Sequence, residues 1–156
     1  MSTRIEKYES TIEQLEGVLV NNTDPLTAMV TINSLLKYNF DNFFWVGFYR
    51  MINAQLVVGP YQGTLGCLFI PLGKGVCGTS ASKRETLVVD DVDQFPGHIA
   101  CDPSSKSEIV VPVIDSNGDV RAVLDIDSDL KNHFTDVDKK YLEQIVARHL
   151  SHCFSC

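Results

Sequence analysis

The first part of the chain carries apolar residues at every third or fourth position, with charged residues between them. This spacing is typical of one face of a helix. The first such stripe consists of Ile5, Tyr8, Ile12 and Leu15. A break follows, in which Asp24 can cap a new helix and Pro25 suits its first position. A second apolar stripe runs over residues 26–36, so we predict two helices within residues 1–38.

The middle of the chain, residues 42–127, changes to short aromatic and β-branched runs bounded by turn residues, which favour strands. The predicted strands cover residues 43–49, 55–60, 68–70, 86–89, 108–114 and 120–126. Asn117-Gly118 separates the last two and is a strong hairpin signal. A short helix is predicted over 75–83 and a polar loop over 91–106.

A closing helix is predicted within residues 135–152. Thr135 and Asp138 have the spacing of a capping box, and apolar residues then recur at helical intervals. Two helices, a run of mostly antiparallel strands and a closing helix indicate an α+β fold in which helices cover one sheet. The length of 156 residues fits a single domain, residues 1–156.

Composition excludes several functions. The net charge is −7, and the basic residues are scattered, so the footprint of a nucleic-acid-binding protein is missing. No apolar run approaches the roughly 18 residues that suggest a membrane span. The charged amino terminus does not look like a signal peptide, so we expect a cytoplasmic protein. In that reducing compartment, five cysteines favour free, catalytic or metal-binding thiols over a fixed disulfide framework.

Three of the cysteines lie among turn-forming residues, where we expect their sulfur atoms to be partly exposed: Cys67, Cys77 and Cys101. Exposure is a requirement of thiol chemistry. Cys77 also opens the predicted short helix, whose dipole favours a thiolate. Three thiols that meet in one pocket predict a redox cycle, in which one attacks and another resolves.

Residues 73–78 match the G-x-G-x-x-G pattern of dinucleotide-binding loops. That fingerprint requires a βαβ unit with a long helix, whereas here the helix is short and hairpin-linked strands follow. Glycines that shape a turn before a short helix are the better interpretation.

Acidic residues are candidates for a binding site. Alternation along the strand places Asp125 and Asp127 on one face, where they could line a pocket or simply face solvent. Residues 125–129 resemble the start of a calcium loop, but Leu130 and Asp136 replace the glycine and glutamate that such a loop requires. Glu108 opens the preceding strand, where a solvated side chain is the alternative.

Histidines and further cysteines give weaker candidates. The last residues contain four potential zinc ligands at helical spacing, although they also continue an apolar helix face: His149, His152, Cys153 and Cys156. Cys153 and Cys156 end a helix, whereas redox pairs of the thioredoxin type open one. His98, beside Cys101, is either a base or orienting group, or a loop histidine bonded to the backbone.

From Trp45 to about Asp136 the chain closely resembles the free methionine-R-sulfoxide reductases, a catalytic branch of the GAF-domain fold. The matching segments are Trp45-Val46-Gly47-Phe48-Tyr49, Gly59-Pro60-Tyr61-Gln62-Gly63, Gly75-Val76-Cys77-Gly78, Gly97-His98-Ile99-Ala100-Cys101-Asp102, Ser107-Glu108-Ile109-Val110 and Val123-Leu124-Asp125-Ile126-Asp127-Ser128. Ligand-binding GAF domains in general lack this set of cysteines. The tail cysteines are not part of the family pattern.

The resemblance implies a single GAF domain that reduces free methionine R-sulfoxide without a cofactor or metal. It makes Cys101 the attacking thiol, Cys67 the main resolving cysteine and Cys77 a second one. It places three acids around the substrate and two aromatic residues along the pocket: Glu108, Asp125, Asp127, Trp45 and Tyr49. Thioredoxin is the implied reductant, and the terminal helices could pair in a homodimer. The alternative is a non-catalytic GAF domain that senses a small molecule or redox state.

Overall fold

The computed structural model describes residues 2–154. Its helices are α1 (Arg4–Val18), α2 (Pro25–Asn39), α3 (Gly75–Lys83) and α4 (Asp136–His149). Its strands are β1 (Trp45–Ile52), β2 (Gln55–Gln62), β3 (Phe69–Pro71), β4 (Leu87–Val89), β5 (Ser107–Ile114) and β6 (Val120–Ser128). Short 3-10 helices cover Val92–Gln94 and Ser151–Phe154.

The six strands form one sheet in the order β3-β2-β1-β6-β5-β4, and every neighbouring pair is antiparallel. The α+β class predicted from the sequence is therefore confirmed. The β5–β6 hairpin turns where the sequence indicates it, because Gly118 adopts a left-handed φ of +83°. The Asp115 side chain stabilises this turn by accepting hydrogen bonds from the backbone N–H groups of Asn117 and Asp119.

Local capping determines where the helices begin. Asp24 accepts a hydrogen bond from the backbone N–H of Thr27, which starts α2 at Pro25. Thr135 and Asp138 form the predicted capping box of α4. The first strand differs from the prediction, since it begins at Trp45 and not at residue 43. The Phe43 ring instead stacks on Phe40 in the core, 4.7 Å between centroids.

The two faces of the sheet are covered differently. Helices α1, α2 and α4 pack over one face, and their core includes Phe48, Leu124 and Ile126. The other face carries α3 and a smaller apolar cluster that includes Val123. Because side chains alternate along β6, Asp125 lies on this second face. Among residues 2–154, none of the helices combines the length and the apolar character that crossing a bilayer requires.

Candidate active site

A small cavity of about 30 Å³ lies on the face of the sheet that carries α3. Its walls come from β1, β5, β6, the start of α3 and the two loops that contain Leu65 and Ile99. Seven of the eight site residues predicted from the sequence line it: Trp45, Tyr49, Cys77, Cys101, Glu108, Asp125 and Asp127. The eighth, Cys67, is bonded to Cys101 at its edge.

Cys67 and Cys101 form a disulfide whose Cα atoms lie 5.4 Å apart, although 34 positions separate them in the sequence. Cys101 is exposed and Cys67 is half-buried, as expected for residues in surface loops. The bond joins the loop before β3 to the loop before β5. These two sulfur atoms can therefore meet at the mouth of the cavity.

Cys77 is buried, with 4% of its surface exposed, so the expectation of a partly exposed sulfur is wrong for this residue. Helix α3 packs tightly on the chain before it, since a Cβ on Gly78 would lie 2.3 Å from the carbonyl oxygen of Pro71. Burial raises the pKa of the Cys77 thiol well above its usual value, and the charges of Asp125 and Glu108 raise it further. The thiolate expected from the helix dipole is therefore also wrong. The thiol lies 3.9 Å from Oε2 of Glu108.

The three acidic residues meet at the floor of the cavity. In the β5–β6 ladder, Glu108 lies opposite Asp127 and Val110 lies opposite Asp125, which places all three carboxyl groups on one face. Glu108 is 6% exposed and Asp125 is 5% exposed, whereas Asp127 is half-buried. The alternatives of a solvated Glu108 and solvent-facing aspartates are therefore wrong.

Burial and mutual repulsion raise the pKa of all three carboxyl groups. Burial raises the pKa of Glu108 to about 8, and the neighbouring Asp127 contributes to the increase. Burial followed by the charge of Glu108 raises the pKa of Asp125, and burial followed by the charge of Asp125 raises that of Asp127. Because close carboxylates repel one another, the three groups cannot all be ionised together. The cavity floor can therefore donate a proton.

His98 lies over this acidic floor, with Nε2 3.7 Å from Oε1 of Glu108. Burial lowers the pKa of His98, and the charges of Asp125 and Asp93 offset part of that decrease. The lowered pKa of His98 and the raised pKa of Glu108 both disfavour an ion pair between these two side chains.

Trp45 and Tyr49 form an aromatic wall, with ring centroids 5.9 Å apart. Trp45 is anchored by a 2.8 Å hydrogen bond from Nε1 to the carbonyl oxygen of Thr64. A Cβ on Gly47 would lie 2.7 Å from the indole, and one on Gly66 would lie 2.9 Å from it. The glycines thus leave room for the ring, a role that sequence reasoning missed although Gly47 follows Trp45 closely.

Sequence reasoning also missed two polar residues near the site. The Thr64 hydroxyl donates a 2.6 Å hydrogen bond to Oδ2 of Asp102, which lowers the pKa of Asp102. This bond connects the loop of Cys67 to the loop of Cys101. Ser105 lines the cavity and hydrogen bonds Asp127, which partly offsets the raised pKa of that group. A single sequence carries no signal for such long-range pairs.

The tail motif is not part of this cavity, whereas Gly75 of the glycine-rich segment lines it. At the tail, His149 is buried, and the Cys153 sulfur lies 3.6 Å from Nε2 of His152. Cys156 lies outside the described residues. Within residues 2–154, the group of potential metal ligands that converges is Cys77, Glu108 and Asp125, and not the tail. The glycines of residues 73–78 shape the turn into α3, where Gly73 and Gly75 have positive φ angles.

Comparison with known proteins identifies the family to which this chain belongs. A model of the GAF domain matches residues 21–153. The chain is 46% identical over 142 residues to GAF domain-containing protein A of Dictyostelium discoideum, and the match covers 90% of this chain and 89% of that protein. The chain is therefore a member of the GAF-domain family, and the predicted single GAF domain is confirmed.

More specific similarities define the branch. The free methionine-R-sulfoxide reductase of Escherichia coli (strain K12) is 38% identical over 145 residues, which cover 93% of this chain and 87% of that enzyme. The X-ray structure of the Neisseria meningitidis free methionine-R-sulfoxide reductase, in complex with its substrate, superposes with a TM-score of 0.92. It has 40% identity and covers 99% of this chain and 92% of that one. The chain belongs to the free methionine-R-sulfoxide reductase family.

Proposed function

We propose that this protein reduces free methionine R-sulfoxide to methionine, with Cys101 as the nucleophile. The observation that carries this proposal is the Cys67–Cys101 disulfide at the mouth of a cavity with an acidic floor. A sulfoxide reductase that resolves its sulfenic acid with a second cysteine forms such a disulfide once in every cycle. The family membership of the chain supports the same conclusion.

The acidic floor has two tasks in this proposal. A free amino acid carries an ammonium group, which carboxylates bind through charge-assisted hydrogen bonds. Glu108, Asp125 and Asp127 together retain protons, so one member can be an anion for the ammonium while another supplies an acid. The aromatic wall of Trp45 and Tyr49 contacts the apolar methyl and methylene groups of the substrate.

The chemical step transfers oxygen from the substrate to the enzyme. The thiolate of Cys101 attacks the sulfoxide sulfur, and a carboxyl group of the floor protonates the oxygen. The sulfoxide is reduced by two electrons to methionine, which leaves, while Cys101 is oxidised to a sulfenic acid. The Cys67 thiol then attacks the Cys101 sulfur, which forms the disulfide and releases the oxygen as water.

Cys77 occupies a different position from Cys67, since it is buried beside Glu108 at the cavity floor. We assign it as a second resolving cysteine, which acts when Cys67 cannot. An external dithiol must reduce the disulfide after each cycle. We propose a thioredoxin in the cytoplasm as this reductant, and a homodimer formed through the terminal helices as the assembly.

The test is an assay that resolves the two epimers of the substrate. The reduced protein is mixed with free methionine sulfoxide, and the R and S epimers are followed separately. We expect consumption of R with release of methionine, while S remains. A non-catalytic sensor consumes neither epimer, and that result would contradict the proposal.

A second measurement tests the assignment of the cysteines. Cys67→Ser should release about one methionine per protein in a rapid first phase and then slow sharply, because resolution is impaired. Cys153→Ser, which changes a thiol outside the cavity, is the matched control and should turn over continuously. Continuous turnover by Cys67→Ser at the rate of the control would show that the cycle does not require Cys67.

A further inference from the structure

The cavity floor contains a set of metal-ligating groups that the proposed reaction does not use as ligands. One ligand atom each from Cys77, Glu108 and Asp125 lie within 4.8 Å of one another. The Cys77 sulfur is 3.9 Å from Oε2 of Glu108. Such separations suit a tetrahedral ion with bonds of roughly 2.0–2.3 Å.

A separate observation concerns Asp125. Its Oδ1 atom is buried and has no hydrogen-bond partner among residues 2–154, while the residue is only 5% exposed. A buried polar atom without a partner is destabilising, so such an atom indicates an absent donor or cation. This oxygen belongs to one of the three converging ligands.

We propose that Cys77, Glu108 and Asp125, here called the inner ligand set, bind a thiophilic divalent cation of the zinc class, with water at its open position. The set offers one thiol and two carboxyl groups. A sulfur donor selects Zn²⁺ or Cd²⁺ over Ca²⁺ and Mg²⁺, which require oxygen ligands alone. The family resemblance assigns no metal to these residues.

The size and charge of the cavity support an ion in this position. A volume of about 30 Å³ exceeds the roughly 10–15 Å³ that a cavity needs to hold one water, so it accommodates an ion with a bound water. A dication also compensates carboxylates that are otherwise too crowded to ionise. Since Cys67 and Cys101 are paired, Cys77 is the free thiol that lines the cavity in the disulfide form.

A bound cation occupies the place that the proposed function gives to the substrate ammonium group. We therefore infer that Zn²⁺ inhibits the reductase in competition with methionine sulfoxide. This consequence rests on the proposed function, whereas the binding itself does not. The two are measured separately.

The binding experiment uses the full chain in its metal-free disulfide form. Titration with Zn²⁺ in a calorimeter should give one tight site, and Cd²⁺ should produce the ultraviolet charge-transfer band of a cadmium–thiolate bond. In a chain whose two tail cysteines are also replaced by serine, Cys77→Ser should abolish the band, and Asp125→Asn should weaken Zn²⁺ binding by at least about 10-fold. If the unmodified chain shows neither tight Zn²⁺ binding nor the cadmium band, the proposal is wrong.

The tail thiols require a control, because Cys153 lies near His152 and both tail cysteines can bind metals. The double variant Cys153→Ser/Cys156→Ser should keep the tight site and the band. Loss of both in this variant, or their retention when Cys77→Ser is added to it, would contradict the inner ligand set. Circular dichroism of each variant verifies folding, and the isosteric Asp125→Asn provides the test if Cys77→Ser unfolds.

Activity measurements separate the two proposals. With the tail double variant, Zn²⁺ should raise the KM for the R-sulfoxide without lowering kcat. A protein that binds Zn²⁺ at Cys77 but reduces no sulfoxide would contradict the proposed function and leave the metal site intact. A protein that reduces the sulfoxide but does not bind Zn²⁺ would contradict the metal site alone.

Discussion

Leu124 and Asp125 are neighbours on β6 but belong to different parts of the molecule. Leu124 is fully buried in the apolar core beneath α1, α2 and α4, whereas Asp125 is nearly as buried at the floor of the cavity. One face of the sheet thus contains packing that stabilises the fold. The other face contains carboxyl groups that desolvation penalises.

The alternation of side chains along one strand thus separates the residues that stabilise the fold from those that form the site. Burying an acidic group is unfavourable unless it is paired or protonated, and the apolar face offsets that cost. Substitutions on the two faces should therefore have opposite signatures: those on the cavity face change activity more than stability, and those on the helix-covered face do the reverse.

The largest effect is expected for Cys101→Ser. Because a serine hydroxyl does not form the sulfenic acid, kcat/KM for the R-sulfoxide should fall by at least about 10⁴-fold, the scale of losing a nucleophile. The thermal midpoint of the reduced protein should change little, since Cys101 is exposed. A variant with turnover comparable to that of Cys153→Ser would show that another thiol attacks.

Asp125→Asn should have the next largest effect. The amide keeps the shape of the carboxyl group but removes its charge and its acidity, so kcat/KM should fall by about 10²–10³-fold. The free energy of unfolding above neutral pH should rise, because a buried group that resists ionisation is gone. Activity within a fewfold of the wild type would contradict the role of Asp125 in the site.

The matched substitution on the other face is Leu124→Ala. Removing this buried side chain should lower the free energy of unfolding by about 2–5 kcal/mol, which chemical denaturation measures. At temperatures where the variant is folded, its KM for the R-sulfoxide should be unchanged. A KM that rises with no loss of stability would break the separation of the two faces.

The dependence of stability on pH provides a smaller effect. Glu108 has a pKa of about 8 in the folded protein against 4.5 as the reference value, so the folded state binds more protons between these values. Stability should therefore be greatest at the acidic end of this range and decrease as the pH rises towards 8. In Glu108→Gln the decrease should be shallower, and an equally steep decrease would indicate that Glu108 does not cause it.

The smallest effect is expected for Thr64→Val. This change keeps the shape of the side chain but removes the hydrogen bond to Asp102 that connects the two cysteine loops. Because a single exposed hydrogen bond contributes about 0.5–1.5 kcal/mol, the rate of disulfide formation after a single turnover should fall only a fewfold. Stopped-flow measurement of Cys67–Cys101 disulfide formation tests this. An unchanged rate would show that the hydrogen bond between Thr64 and Asp102 does not position the two loops.

Features that depend on local sequence were predictable. The Asn117-Gly118 hairpin, the capping box at Thr135 and the start of α2 at Pro25 each follow from residues close in the chain. Alternation also predicted that Asp125 and Asp127 share a face. The pairing of Cys67 with Cys101 came from family resemblance, because nothing in the residues alone distinguishes it from a pairing with Cys77.

Features that depend on tertiary packing were not predictable. The glycines around Cys77 predict an exposed sulfur atom. In the folded chain those same glycines let α3 pack closely and bury the sulfur. The dipole at the start of α3 predicted a lowered thiol pKa, but desolvation and nearby acids are stronger. Thr64 and Asp102 are 38 positions apart, so only the folded chain reveals their hydrogen bond.

The β5–β6 turn, held by Asp115, lies at the opposite end of the hairpin from Glu108. Residue 114 lies six positions after residue 108, a distance of about 20 Å along the strand. Yet the turn determines which residue of β5 faces which residue of β6. An insertion of one residue there would slide the ladder and rotate the carboxyl groups of one strand towards the helices. The length of this surface turn thus determines which side chains face the cavity, although the turn never touches a substrate.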